Sequence, residues 1–205
     1  MATTARVSNP LLKHLPIEES RHIVATQTGT IGYPDDHAIA VAECSLRIAV
    51  RLGLDPDVRR TIAAGALLHD VGKLRVDERI LSKPGPLTPD ERRNVEQHPL
   101  EGERILQDSV EPPVREIVRA HHERWDGAGY PNGLAGDDIP LAARVVAVAD
   151  AYLAMRETRP YRTRLTKDEA VGELEACAGT QFDPACVEAL ERALRAGETG
   201  ARLAA

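Results

Sequence analysis

The chain has 205 residues, of which 42% are hydrophobic and 28% charged, so it is long enough for one compact domain and too apolar to be disordered. Aromatic residues make up only 3%, which leaves the core to aliphatic side chains and favours a helical protein over a β-sandwich. The net charge of -6 and the lack of a Lys/Arg block argue against nonspecific binding to DNA or to an acidic membrane.

Cysteine usage and hydropathy indicate a cytoplasmic protein. Cys44, Cys177 and Cys186 form no CxxC pair, and we interpret them as small apolar residues in a reducing compartment. No apolar run reaches the roughly 18 residues of a membrane helix, and no signal peptide opens the chain.

The chain divides into three predicted parts. Residues 1–30 carry no motif and are predicted to form an arm or lead-in helix. One domain is expected over residues 31–197, with a tail over residues 198–205. Thirty residues cannot hold a sensor domain, so we expect regulation through a protein partner, an oligomer such as a homodimer, or expression.

The first half of the predicted domain begins with a strong helical pattern. "DDHAIAVAECSLRIAVRLGL" predicts a helix from Asp36 that stops at Gly53. Asp55-Pro56 then provides an N-cap and a first-turn proline for a helix that continues through "TIAAGALLHD".

Two further helices are predicted in the middle of the chain. The capping box at residues 88–91 begins a helix to about Leu106, which Pro99 is expected to kink. Pro112-Pro113 begins the next helix, through "VREIVRAHHER".

The C-terminal third predicts three more helices. "IPLAARVVAVADAYLAM", after Pro140, is the most apolar and is expected to be the most buried. A second capping box starts at Thr166, and "GTQFDP" reads as a cap, with Asp183-Pro184 opening a last helix to about Ala196. The sequence therefore predicts an all-α protein, a compact bundle of six to eight helices.

Histidines and aspartates concentrate at or near the ends of these helices. Taken singly, a histidine at a helix end is most simply a dipole partner, and a buried aspartate a hydrogen-bonding residue. Five imidazoles and two carboxylates without a thiolate, however, suit iron, manganese, nickel or zinc, and more than one ion. Two ions about 3.5–4 Å apart form a common arrangement for attack at phosphorus. The seven residues are His37, His69, Asp70, His98, His121, His122 and Asp150.

An ordered series of motifs extends this pattern from about His37 to about Val187: "HDVGK", "HPLEG", "HHERWDGAGYPNGLAGDDIPLAARVVAVADAY", "RPYR" and "GTQFDP". The series resembles the HD-GYP family, a branch of the HD phosphohydrolases. The resemblance implies an all-α bundle of the HD-domain type with two or three metals, often iron. It also implies hydrolysis of cyclic di-GMP to pGpG or GMP by metal-activated hydroxide.

The resemblance also implies roles for individual residues. The five histidines and two aspartates of this set would be metal ligands, with Asp70 bridging the ions. Lys73 would contact the scissile phosphate, so that Asp70 and Lys73 are the expected catalytic residues. Tyr130, Arg159 and Arg162 would hold the nucleotide and its phosphates. The glycines around Tyr130 are expected to let the backbone pass close to the dinucleotide, whereas Trp125 is interpreted as a structural anchor.

Three features depart from the family pattern. Tyr33 stands where members with three metals usually have glutamate, and the alternative is that Asp35 or Asp36 takes its place. Two divalent transition metal ions are expected, with iron favoured over manganese, nickel or zinc. Leu153 replaces a common aspartate, and residues 156–158 differ from the usual "TSD". The changes at residues 153 and 156–158 lie on the substrate side and are expected to affect the binding geometry or the rate.

Three functions stay open from the sequence. The first is a cyclic di-GMP phosphodiesterase. The second is an HD hydrolase acting on another cyclic dinucleotide or nucleotide. The third is a degenerate binding or scaffold module with little turnover, against which an intact and costly ligand set argues.

Overall fold

In a computed structural model, residues 17–28, 35–157 and 163–203 can be described, and they form α-helices without β-strands. The prediction of an all-α fold is confirmed. The helices are α1 (Ile17–Thr28), α2 (Asp36–Arg51), α3 (Pro56–Leu68), α4 (Glu78–Leu81), α5 (Pro89–Val95), α6 (His98–Ile105), α7 (Pro112–Ala120), α8 (Leu141–Arg156), α9 (Lys167–Ala176) and α10 (Pro184–Leu203).

The core lies between α2, α3, α8 and α10. Val41, Ile48, Val146 and Leu190 are among its buried members. Helix α8 was expected to be the most buried, but it buries seven of its 16 residues, whereas α2 buries eight of 16. The two helices are buried to a similar extent because α2 is also covered, by α3, α8 and α10.

The expected kinked helix over residues 88–106 is two helices. Helix α5 has the predicted capping box at Thr88 but ends at Val95, and α6 begins at His98. Pro99 lies in the first turn of α6, where a missing N–H costs nothing, whereas inside a continuous helix its ring would clash with a carbonyl. The break places His98 at a helix start.

The described chain contains more helices than the six to eight predicted. Besides the break before α6, the short helix α4 and a 3₁₀ helix over Val71–Arg75 had no clear sequence signal. Helix α10 also continues past the predicted end at about Ala196 to Leu203. The glycines there do not stop it, since glycine in a helix costs only about 1 kcal/mol relative to alanine.

A glycine lets two site-bearing segments meet. The 3₁₀ helix that follows α3 packs directly on α6. A Cβ on Gly72 would overlap the carbonyl oxygen of His98, so the approach requires glycine. This contact brings the end of α3 against the start of α6.

Candidate metal centre

The seven predicted ligands come from five helices and converge on one place. His37 lies in the first turn of α2, and Asp150 lies two turns before the end of α8. The remaining five lie at helix ends: His69 and Asp70 after α3, His98 at the start of α6, and His121 and His122 after α7.

The donor atoms form two groups that share Asp70. One group is Asp70, His98, His121 and His122, and the other is His37, His69 and Asp70; within each, one donor atom per residue lies within 4.8 Å of the others. The expected bridging position of Asp70 thus has a geometric counterpart among the described residues.

Asp150 lies beside the second group. Its Oδ1 is 3.0 Å from His37 Nε2 and 3.9 Å from His69 Nε2. Metal bonds of about 2.0–2.2 Å place neighbouring ligand atoms about 3 Å apart, so these separations suit a shared ion.

Three of the imidazoles are oriented by the backbone. The Nδ1–H of His69 donates to the Ala66 carbonyl at 2.7 Å. His98 and His121 do the same with the carbonyls of Val95 and Val118, at 2.7 and 2.8 Å. Each acceptor lies three residues earlier, and each Nε2 is left to face the centre. Such outer hydrogen bonds are typical of metal-binding histidines.

Two buried polar atoms of the centre lack a hydrogen-bond partner among the described residues: His69 Nε2 and Asp70 Oδ1. His69 Nε2 lies 3.4 Å from Asp70 Oδ2, and Asp70 Oδ1 lies 3.3 Å from His98 Nε2. Unsatisfied buried polar atoms are costly and rare. Together with the donor set, they fit divalent transition metal ions.

The pKa values of the imidazoles differ between the two ends of the centre. A hydrogen bond to Asp150, opposed by burial and reinforced by Glu157, raises the pKa of His37 to about 9. Burial and His98 lower the pKa of His122 to about 4, and burial together with neighbouring imidazoles keeps that of His121 well below its usual range. Burial also lowers the pKa of His98, and the imidazoles of His98, His121 and His122 are therefore neutral at neutral pH, which is the form that binds metals. For His69, the lowering of the pKa by burial is outweighed by Asp70, which raises that pKa.

Both carboxylates of the centre are ionised despite burial. Burial raises the pKa of Asp70, but His69 and Lys73 outweigh it and hold that pKa well below its usual range. Burial also raises the pKa of Asp150, but its hydrogen bond with His37 outweighs this effect, so that its pKa is lowered. The centre therefore offers two ionised carboxylates to cations.

Only some of the predicted substrate-binding residues lie in the part of the chain that the structure describes. Lys73 Nζ lies 2.5 Å from Asp70 Oδ2, at the edge of the centre. The Tyr130 ring stacks on His122, with 4.9 Å between ring centroids. Arg159, Arg162 and Tyr33 lie outside the described residues.

The glycine-rich loop closes on its own backbone. A Cβ on Gly129 would overlap backbone atoms of residues 122–124, and the Tyr130 N–H donates to the His122 carbonyl at 3.2 Å. The close approach that glycine permits is therefore to the backbone of residues 122–124, and not to a dinucleotide as expected from the sequence.

Sequence reasoning missed two carboxylates. The buried Glu123 accepts hydrogen bonds from the N–H groups of Asn132 and Leu134, at 2.7 and 3.0 Å, and so fixes the loop. Glu157 Oε1 lies 2.5 Å from His37 Nδ1. Glu123 directly follows the histidine doublet, which was a usable signal, whereas Glu157 lies 120 positions from its partner.

The far side of the loop is tied to α8 and to the segment between α9 and α10. The backbone N–H of Trp125 donates to the Gln181 carbonyl. The Arg144 guanidinium lies over the Trp125 indole, 5.4 Å from the ring centroid. These contacts are those of a structural anchor. Asp183 caps α10 by accepting from the Ala185 N–H at 2.8 Å, as "GTQFDP" predicted.

The chain matches a known protein family. The model of the HD domain family matches residues 12–186. The chain belongs to the HD domain family. This membership confirms the all-α HD-type bundle, and the motif series that resembles the HD-GYP branch lies within the matched region.

Relatives share much of the chain. It is 40% identical over 182 residues to the cyclic di-GMP phosphodiesterase response regulator of Xanthomonas campestris, covering 85% of this chain and 48% of that protein. It is 38% identical over 200 residues to the 3'3'-cGAMP-specific phosphodiesterase 3 of Vibrio cholerae, covering 92% and 43%. The chain thus spans about half the length of these curated relatives, or less.

A solved structure shares the fold. The crystal structure of a cyclic GMP-AMP specific phosphodiesterase of Vibrio cholerae matches with a TM-score of 0.65 at 19% identity, over 87% of this chain and 49% of that one. Within the described residues, none of the helices is both long and apolar enough to cross a membrane.

Proposed function

We propose that this HD domain protein is a metal-dependent phosphodiesterase that hydrolyses cyclic di-GMP to pGpG or GMP, through the domain at residues 31–197. The observation that carries the proposal is the pair of donor groups that share Asp70. A relative that is 40% identical and is named a cyclic di-GMP phosphodiesterase supports the substrate.

The proposed ligands are His37, His69, Asp70, His98, His121, His122 and Asp150, holding two divalent transition metal ions, with iron favoured over manganese, nickel or zinc. When bound, two such ions lower the pKa of water to near neutrality and offset negative charge on phosphoryl oxygens. The ionised Asp70 and Asp150 and the neutral imidazoles of His98, His121 and His122 supply the ligand forms that such ions require.

The remaining roles concern the substrate. Lys73, 39% exposed at the edge of the centre, is proposed to contact the scissile phosphate. Arg159 and Arg162 would bind phosphates through their planar guanidinium groups. Tyr130, stacked on His122, would line the nucleotide side.

A direct experiment is to purify the protein without oxygen, quantify its metals, and separate the products after incubation with cyclic di-GMP. We expect about two metal equivalents and release of pGpG or GMP. The double variant His69→Ala, Asp70→Ala should lose both metal and turnover. Full metal content with no product would contradict the proposal and favour the binding module.

A second substrate is supported by one comparison. The relative that aligns with 92% of this chain is named a 3'3'-cGAMP-specific phosphodiesterase. Incubation with equal amounts of cyclic di-GMP and 3'3'-cGAMP measures the preference directly. Faster loss of 3'3'-cGAMP would change the assigned substrate and leave the reaction class intact.

We further propose a cytoplasmic location, supported by three free cysteines that form no disulfide. A homodimer or a regulatory protein partner is proposed as the regulatory input.

A further inference from the structure

His37 is held differently from the three histidines that the backbone orients. His69, His98 and His121 each follow a helical turn, whose carbonyl three residues earlier accepts the Nδ1–H. His37 is instead the second residue of α2, where no preceding turn of the same helix supplies a carbonyl. Its Nδ1 therefore needs an acceptor from another part of the chain.

Glu157 provides that acceptor. Its Oε1 lies 2.5 Å from His37 Nδ1, while His37 Nε2 points to Asp150 Oδ1 at 3.0 Å. When Nε2 is deprotonated and the remaining proton stays on Nδ1, on the Glu157 side, the Nε2 lone pair faces the centre. A carboxylate acceptor forms a stronger hydrogen bond than a carbonyl and makes the imidazole a more basic ligand.

The position of Glu157 makes it replaceable without loss of the fold. It is the C-cap of α8, and its N–H donates to the Leu153 carbonyl. Asp150 lies seven residues earlier, two turns away on the same face of α8. The Glu157 side chain is 42% exposed, so its removal leaves no large cavity.

We propose that Glu157 is a positioning residue of the metal centre, which fixes the ring orientation and tautomer of His37 so that Nε2 is presented to an ion. This inference rests on the metal ligands of the proposed function. It predicts an effect confined to the ion next to His37, His69 and Asp150.

Metal retention tests this selectivity. The Mn²⁺-loaded protein is titrated with EDTA, and the bound metal is counted. In Glu157→Ala, one of the two ions should leave at an EDTA concentration about 10- to 100-fold lower than in the wild type. This is the usual loss of metal affinity when a residue that hydrogen-bonds to a metal ligand is removed. Glu157→Gln, whose amide oxygen still accepts a hydrogen bond, should retain it better. Glu188→Ala, an exposed carboxylate on α10, is the control and should match the wild type.

Imidazole proton spectra test the tautomer. In the Zn²⁺-loaded wild type, His37 should show a slowly exchanging Nδ1–H resonance, as should His69, His98 and His121. Glu157→Ala should lose only the His37 resonance. A retained His37 resonance, or unchanged release of both ions, would overturn the proposal. Neither readout needs substrate, so failure here is distinct from a failure to hydrolyse cyclic di-GMP.

Discussion

His98 and His121 face each other through their Nε2 atoms, 3.3 Å apart, while the Nδ1–H of each ring donates to a backbone carbonyl. Burial lowers the pKa of both imidazoles, so each ring carries only that one proton. Without a cation, two buried lone pairs therefore oppose each other. A cation between them would turn this repulsion into binding.

The first prediction follows from that contact. His121→Leu removes one lone pair and keeps an apolar side chain of similar size. In EDTA the free energy of unfolding of the variant should lie within about 2 kcal/mol of the wild type, because the relief of the lone-pair repulsion offsets the hydrogen bond that the Val118 carbonyl loses. Urea unfolding measures this. A larger loss of stability in EDTA would contradict it, and the wild type with Mn²⁺ should be stabilised more than the variant.

The second prediction concerns the carboxylate common to both donor groups. Asp70→Asn keeps the size of the side chain but removes the charge that His69 and Lys73 contact. We expect loss of both ions, and a fall in turnover larger than the roughly 10- to 100-fold that an outer partner costs. Metal analysis and product release measure the two effects. Retention of two ions would argue against a shared ligand.

The third prediction concerns packing behind the centre. Gly72→Ala places a methyl group into the His98 carbonyl and must separate the 3₁₀ helix from α6. We expect destabilisation by about 3 kcal/mol or more, since overpacking against backbone cannot relax through a side chain. The control is Gly172→Ala on α9, where a Cβ meets nothing within 4 Å. That change should stabilise by about 0.5–1 kcal/mol. Equal urea midpoints for the two variants would contradict the packing argument.

The fourth prediction is the pH dependence of the metal-free protein. The pKa of His122 is about 4 in the folded protein, below its unfolded value of about 6.5. Its contribution to stability is therefore complete above about pH 6.5. It is lost as the pH falls toward 4, by up to about 3 kcal/mol. His37, raised to about 9, contributes stability that is complete below about pH 6.5 and is lost as the pH rises through 9.

Urea unfolding in EDTA across this range should therefore show a maximum near pH 6.5 from these groups. His122→Gln should weaken the acid loss and His37→Gln the alkaline loss. His22→Gln, at an exposed position on α1, is the control. An unchanged acid profile in His122→Gln would show that this imidazole is not the group responsible.

The fifth prediction concerns the Tyr130 loop. Glu123→Gln leaves one acceptor oxygen for the N–H groups of Asn132 and Leu134 and turns an amide donor toward the other. We expect faster hydrogen exchange at residues 132–134 and a loss of about 1–3 kcal/mol. Two ions should still bind, with KM raised more than kcat is lowered. Loss of metal would instead assign Glu123 to the centre.

Local signals in the sequence place most of the predicted ligands at helix ends, whereas Asp150 is recognisable as an acidic residue inside an apolar helix. His69 and Asp70 precede Gly72, and His121 and His122 precede a glycine-rich loop. The break between α5 and α6 was harder to predict, since Pro99 is compatible both with a kink and with a new first turn.

What could not be predicted depends on contacts between distant elements. Nothing near Glu157 in the sequence indicates that its carboxylate reaches His37. Similarly, the reason for glycine at position 72 exists only once α6 lies against the 3₁₀ helix. Both relationships arise from how the helices cross.

Because the donors come from α2, α3, α6, α7 and α8, ions bound among them would act as cross-links between segments that are far apart in the chain. Each would add stability by mass action, about 2.7 kcal/mol at 100 times its Kd. The folded population would then track the supply of free metal. A cell short of the metal would lose the protein itself as well as its activity.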